Sequence, residues 1–208
     1  MVESNAADPD DVRALLATVA DLGQPLHALV SNVAMGKVVR DLADLKRNSL
    51  ALSIDYSAWP VVELVKAADA LDLLPRYVVA ISSDGVVYNH PGYDLIGTAK
   101  TSLEALCRAL AVQLKPRGVR VNVVRPGALD TDAVTDTFGP EARRTIEERV
   151  GDVWIHPERV GDAVVGLCSG WLDAVTGQVL VVDEGWSLVS PLDFVQGRER
   201  PFVFPEDG

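Results

Sequence analysis

Four apolar runs of strand length, separated by much longer helical patterns, constrain this chain more than any other feature. The runs lie at residues 26–31, 76–82, 119–124 and 178–183, and each is nearly continuous in Val, Leu, Ile and Ala. A strand covered on one face alternates apolar with polar residues, so an unbroken run means that both faces are covered. Between the runs, apolar residues recur at helical spacing over residues 50–72, 96–115 and 157–172, with a shorter amphipathic piece at 140–150. Strands alternating with helices of that length predict an α/β fold with a parallel, doubly wound sheet. A further helix is expected before the first run. Asp8 reads as its N-cap, with Pro9 at the first helical position and Asp11 three residues after the cap, and it runs towards Gly23.

With 208 residues and 48% hydrophobic content, one domain over residues 1–190 can bury a full core. Residues 191–208, rich in Pro, Gly and charge, read as an extended arm without a core of its own. The two cysteines, Cys107 and Cys168, fall in expected helices, so a disulfide framework is not expected and a reduced, cytoplasmic compartment fits. The apolar runs are strand-sized and no basic segment leads into a longer one, so neither a membrane span nor a signal peptide is expected. A net charge of -11 repels phosphate backbones and argues against nucleic acid as a partner. His27, His90 and His156 are too dispersed for a metal site.

Tyr93 and Lys100, with six residues between them, are the first candidates for chemistry. A phenol titrates near pH 10 in water, and a neighbouring ammonium lowers that value by favouring the phenolate. Such a pair donates or accepts a proton, or holds an enolate oxygen by a hydrogen bond. The plainer alternative is that Tyr93 packs at a helix start while Lys100 is solvated. Ser82 and Ser83 follow the second strand, where serines commonly serve as turn residues. Tyr88 and His90 share their loop, as a second phenol and an auxiliary acid or base, or as packing. Ser83 with His90 as a nucleophilic pair lacks an identifiable orienting carboxylate.

The text around these residues carries a resemblance. Ile81-Ser82-Ser83 leads into Tyr93-Asp-Leu-Ile-Gly-Thr-Ala-Lys100. Next comes Gly118-Val-Arg-Val-Asn-Val-Val-Arg-Pro126-Gly127-Ala-Leu-Asp-Thr131, then Thr176-Gly-Gln-Val-Leu-Val-Val-Asp183-Glu184-Gly185. Over residues 5–190 this resembles the short-chain dehydrogenase/reductase superfamily, with Ser31-Asn32-Val-Ala where that family writes Asn-Asn-Ala-Gly. The six-residue spacing, with Ile96 at the position of the commoner reductase tyrosine, is similar to the enoyl-acyl-carrier-protein reductase branch.

The resemblance implies that Tyr93 is the acid-base residue, that Lys100 lowers its pKa and that Ser83 orients the substrate carbonyl. It implies substrate-binding positions at Tyr88, and at Phe138 and Trp154 in the segment folded over the substrate. Asn32, Pro126, Gly127 and Thr131 correspond to remnants of a nicotinamide site. Ser53 stands where many reductases use a relay asparagine. The family's opening Thr-Gly-x-x-x-Gly-x-Gly turn, whose backbone amides approach a pyrophosphate, has no counterpart here. That corresponds to two missing βα units, on the order of 60 residues at roughly 30 per βαβ motif. The glycines from Gly161 to Gly170 follow no strand and read as helix.

The fold expected is therefore a truncated Rossmann-like sheet of four to five strands, with residues 2–6 as the candidate fifth. An uncovered parallel edge at residues 26–31 invites pairing. A homo-oligomer through the helices at 50–72 and 96–115 is expected, or a heteromer with a full-length reductase. A site that keeps Ser83, Tyr93 and Lys100 without a nucleotide turn favours an enzyme that needs no cofactor. It would act by acid-base chemistry at the carbonyl of a small-molecule or carrier-bound acyl or polyketide-like substrate, in isomerisation, dehydration or cyclisation. The alternatives are an NAD(P)H-dependent enoyl or keto reductase completed by a partner chain or upstream residues, and a non-catalytic subunit of a complete reductase.

Overall fold

A computed structural model describes residues 1–131, 139–150 and 153–189. Four strands, β1 (Ala28–Ser31), β2 (Tyr77–Ile81), β3 (Arg120–Pro126) and β4 (Val179–Val182), pair in parallel in the order β1-β2-β3-β4. Every residue of β2 is buried. Its side chains alternate between two cores, as the period of two requires. Val78 and Ala80 join Val121 and Val123 on one side, while Val79 and Ile81 join Val124 on the other.

The outer strands depart from the expectation that both faces are covered. Val30 of β1 is 46% exposed, and Leu180 and Val181 of β4 are 40% and 44% exposed. Each lies on an edge strand of the sheet, and the consecutive Leu180 and Val181, on opposite faces, show that β4 is incompletely covered on both. Residues 2–6 form no fifth strand. Their polar groups turn to the next helix instead: Asn5 donates its backbone N–H to Asp11, and Asp8 donates its own to the Asn5 carbonyl.

That helix, α1 (Pro9–Ala20), begins as expected, with the Asp8 carboxylate accepting from the backbone of Asp10 at 2.8 Å and Asp11 at 3.4 Å. The single helix expected over 50–72 is two, α2 (Arg47–Ser57) and α3 (Pro60–Ala70). Pro60 has no N–H for the helical ladder and its ring crowds the carbonyl of the preceding turn, so it starts a new helix at its first position. The long helix α4 (Asp94–Leu114) crosses the sheet, and α5 (Pro140–Val150) and α6 (Pro157–Cys168) follow. Gly170, at φ +90°, turns the chain away soon after α6, short of the expected residue 172.

The apolar faces of α3 and α4 (Val61, Val65, Leu103, Cys107 and Ala111) pack on the Val78 side of the sheet. Those stripes are core. Val160 and Leu167 of α6 cover the Val79 side, and Val12 and Leu16 of α1 pack on Ala67 and Ala68 of α3. The described residues contain no helix long and apolar enough to cross a membrane. The expected arm at 191–208 and Phe138 lie outside the described residues.

Candidate active site

In a parallel α/β sheet the carboxyl ends of the strands open onto the loops that bind ligands. Here Ser82 and Ser83 leave the end of β2 and enter a single 3-10 turn, Asp84–Val86. Ser83 Oγ accepts the Gly85 N–H at 3.1 Å and donates to Asp84 Oδ1 at 3.3 Å. Two glycines decide where this turn sits. A Cβ on Gly97 would lie 2.5 Å from the Gly85 carbonyl oxygen, and one on Gly85 would lie 2.6 Å from the Tyr93 ring. Without side chains there, the turn lies flat on the first turn of α4 and the Tyr93 ring lies against it.

Tyr93 and Ser83 line the same cavity. Burial pushes the phenol above its ordinary value, the nearby Ser83 hydroxyl pulls it down, and the Asp84 charge pushes it up. The expectation that Lys100 lowers the phenol is not met. Lys100, 4% exposed, donates to the Ile81 carbonyl at 2.7 Å and the Val33 carbonyl at 3.2 Å, tying the ends of β2 and β1 together. Burial lowers its own pKa from 10.5 to about 8, with the Cys107 thiolate form opposing. Burial in turn raises the Cys107 thiol to about 12.

Beneath the serines lies a buried polar cluster that sequence reasoning missed. Ser82 donates to Glu104 Oε1 at 2.7 Å, and Arg125 grips the same carboxylate with two bonds, at 2.9 and 2.6 Å. Glu104 is 3% exposed. The signal was present, since Glu104 shares the buried stripe of α4 with Lys100 and Cys107, and Arg125 directly ends the apolar run of β3.

His90 Nε2 lies 3.0 Å from Asp84 Oδ1, and that bond raises the imidazole's pKa against the opposing effect of burial. Its ring stands edge-on to Tyr93, with centroids 6.2 Å apart.

Together these groups line one side of a cavity of about 360 Å³. Pro126, Gly127, Leu129 and Thr131 line another, and Ile146 and Trp154 close it. The Trp154 ring is held under the Arg143 guanidinium of α5, 4.7 Å from its centroid, and Arg143 also reaches Asp130 at 2.6 Å.

Of the expected site residues, the cavity brings together Ser83, Tyr93, Trp154, Pro126, Gly127 and Thr131. Lys100 acts on the strand ends behind it. Tyr88 lies on an adjoining recess of about 130 Å³, its hydroxyl donating to the Ser187 carbonyl at 3.1 Å, and Asn32 is exposed. Ser53 is fully buried and bonds the Ser49 carbonyl of its own helix. A more open groove of about 640 Å³, lined by Val38, Arg40, Leu42 and Pro91 among others, does not touch Ser83 or Tyr93. No cluster of metal-binding side chains occurs among the described residues.

Residues 1–187 match the family model described as Enoyl-(Acyl carrier protein) reductase. The chain belongs to this family. It is 29% identical over 208 residues to 1-cyclohexenylcarbonyl-CoA reductase of Streptomyces collinus, covering 95% of this chain and 72% of the relative. It is 27% identical over 211 residues to enoyl-(acyl-carrier-protein) reductase (NADH) of Aquifex aeolicus, covering 96% and 75%. The fold superposes on 3-oxoacyl-(acyl-carrier protein) reductase of Brucella melitensis, solved in complex with NAD, with a TM-score of 0.79 at 28% identity, covering 91% and 78%.

These findings overturn the expectation of a cofactor-independent isomerase, lyase or cyclase. Members of the family that resemble this chain are named as reductases, and one is held in its crystal with NAD. The expectation that no cofactor is needed falls with it.

The donor set suits the nicotinamide end of such a cofactor. Lys100 is a buried cation with three N–H donors, two of them accepted by carbonyls, which leaves one for a ribose hydroxyl. Gly127 is pressed so closely on Asp183 that a Cβ would stand 2.9 Å from the Asp183 Cβ, which fixes the Pro126–Gly127 backbone against the end of β4 as a wall of the cavity.

Proposed function

We propose that this chain carries the substrate half of an NAD(P)H-dependent reductase that saturates a carbon–carbon double bond conjugated to a thioester carbonyl. The observation that carries the reading is the Ser83–Tyr93 pair facing an apolar cavity walled by Pro126, Gly127 and Thr131. When bound, the reduced nicotinamide supplies the hydride. Reduction at the β-carbon moves negative charge onto the thioester oxygen, and donors placed beforehand at that oxygen lower the barrier.

Ser83 and Tyr93 are those donors. The raised Tyr93 pKa keeps the phenol protonated at neutral pH, ready to give its proton. Leu129, Ile146 and Trp154 hold the acyl group and keep water from the reacting carbons. Lys100 would hold the ribose, and Pro126, Gly127 and Thr131 the nicotinamide. The pyrophosphate turn, absent from these 208 residues, is supplied from elsewhere on the polypeptide or by a partner subunit. The protein works in the cytoplasm as a homo-oligomer, which suits its unpaired Cys107 and Cys168.

The test follows NADH and NADPH consumption with 2-enoyl-CoA and 2-enoyl carrier-protein thioesters, for this chain alone and joined to the partner or upstream segment that binds nucleotide. Consumption that depends on the double bond and drops in Tyr93→Phe is the expected result. Conversion of the thioester at an equal rate without nicotinamide would overturn the reading.

A further inference from the structure

Charge along this chain is uneven in one place. Residues 37–47, from the loop after β1 to the start of α2, hold four cations, Lys37, Arg40, Lys46 and Arg47, against two carboxylates, Asp41 and Asp44, in a chain of net charge -11. All four cations are exposed, and none forms an ion pair or a side-chain hydrogen bond with a described residue, whereas Arg76, Arg117, Arg125 and Arg143 each hold a carboxylate. The two carboxylates are turned to the backbone. Asp41 accepts the Ala43 N–H at 2.8 Å and Asp44 the Arg40 N–H at 3.0 Å. These cations border the groove of about 640 Å³: Arg40 lines it, Lys37 adjoins its wall residue Val38 in the chain, and Lys46 adjoins Leu45. The groove is fixed by the fold, because Val39 donates its N–H to the Gly92 carbonyl at 3.1 Å and a Cβ on Gly92, at φ +81°, would meet Val38 at 2.8 Å. Val38, Leu42, Leu45 and Pro91 give it apolar walls, with Leu42 83% exposed, and Asp41 and Asp94 are its acids. Pro91 also lines the cavity of Ser83 and Tyr93, so the two spaces meet at that residue.

We propose that this groove binds the phosphorylated nucleotide end of an acyl-coenzyme A, with the pantetheine arm passing Pro91 into the cavity. The proposal rests on the reductase reading for the thioester and names the carrier that delivers it. The exposed valine and leucine side chains offer an adenine ring an apolar wall that otherwise faces water. The unpaired Arg and Lys side chains suit phosphates, since a guanidinium grips phosphate oxygens with two parallel bonds and no ion pair must first be broken. The shared Pro91 lets one molecule occupy both spaces. Charge argues against an acidic carrier protein as the occupant. A docked protein covers about 800 Å² of its partner, which extends the contact past the four cations onto an acidic surface that repels it. A nucleotide seated in the groove meets the cations at contact, while carboxylates farther off than the Debye length of about 8 Å at physiological salt are screened.

Calorimetry on the unliganded protein tests the site without turnover. Coenzyme A should bind, and more weakly as salt is raised. Adenosine 3′,5′-bisphosphate should compete with it, while pantetheine, which lacks the phosphates, should bind far more weakly. Arg40→Ala combined with Arg47→Ala should weaken coenzyme A binding by roughly 10-fold or more. The urea melt should stay in place, because neither side chain bonds to the rest of the described chain. Coenzyme A binding no tighter than that of pantetheine, or unchanged in the double variant, would overturn the proposal. A phosphopantetheinylated carrier protein that binds more tightly than coenzyme A and loses that affinity in the double variant would overturn it too, by giving the patch to the protein. In the assay, the double variant should raise KM for 2-enoyl-CoA by a similar factor, and by more than for the 2-enoyl pantetheine thioester. NAD(P)H-dependent turnover with an unaltered KM for 2-enoyl-CoA would sink the coenzyme A site and leave the reductase reading standing. Coenzyme A binding that needs both arginines, in a protein that consumes no NAD(P)H, would keep the site and remove that reading.

Discussion

Tyr93 and Lys100 share a helix start, yet the tertiary structure gives them separate work. Tyr93 faces the cavity with its proton held, so Tyr93→Phe should cut turnover by roughly 10²–10⁴ while a urea melt barely moves. Lys100 is a buried ammonium whose pKa falls to about 8. Between that value and 10.5 the unfolded chain binds the proton that the folded chain has lost, so stability rises with pH across this window. Relative to Lys100→Met, the native protein should gain on the order of 3 kcal/mol between pH 7 and 10.5, measured by urea unfolding at each pH. A flat difference would mean that the ammonium is not desolvated. Sequence spacing identified both residues as a pair, but the two carbonyls that bind Lys100 come from residues 67 and 19 positions away.

At the scale of elements, the turn after β2 and the start of α4 are one unit because Gly85 and Gly97 permit contact between them. Ala at a helix position is favoured over Gly by about 0.8–1 kcal/mol. In Gly97→Ala, however, the new methyl meets a backbone oxygen at 2.5 Å, and overpacking of that kind costs about 1–3 kcal/mol. The clash should win, with lower stability in urea and a displaced Tyr93 seen as lost activity.

The Glu104–Arg125 pair joins α4 to β3 under the serines. Glu104→Gln leaves Arg125 without its countercharge and should destabilise by about 3–5 kcal/mol, whereas Glu104→Leu combined with Arg125→Met should restore most of the loss. Helix and strand periods located the elements to within a few residues. They missed the break at Pro60 because the apolar pattern runs through it, and they missed the buried pair because its members are 21 residues apart on different elements.

For the whole molecule, exposed apolar side chains include Val30 on β1, Leu180 and Val181 on β4, and, on helix surfaces, Val112 of α4, 75% exposed, and Val165 of α6, 68% exposed. Multi-angle light scattering at micromolar concentration should show an assembly larger than one chain, and Val112→Lys should weaken it if that surface is shared. A monomer throughout would remove the homo-oligomer. The sequence by itself determined the layered α/β architecture, the strand-end position of Ser83 and the helix-start position of Tyr93, because periodicity and turn chemistry are local. Only the tertiary structure decided what Lys100 binds, which carboxylate supports Ser82, and that Asp84 links Ser83 to His90. Those outcomes depend on which strand ends and helix faces meet across the sheet, and on burial at the meeting point, neither of which is written in the spacing of residues along the chain.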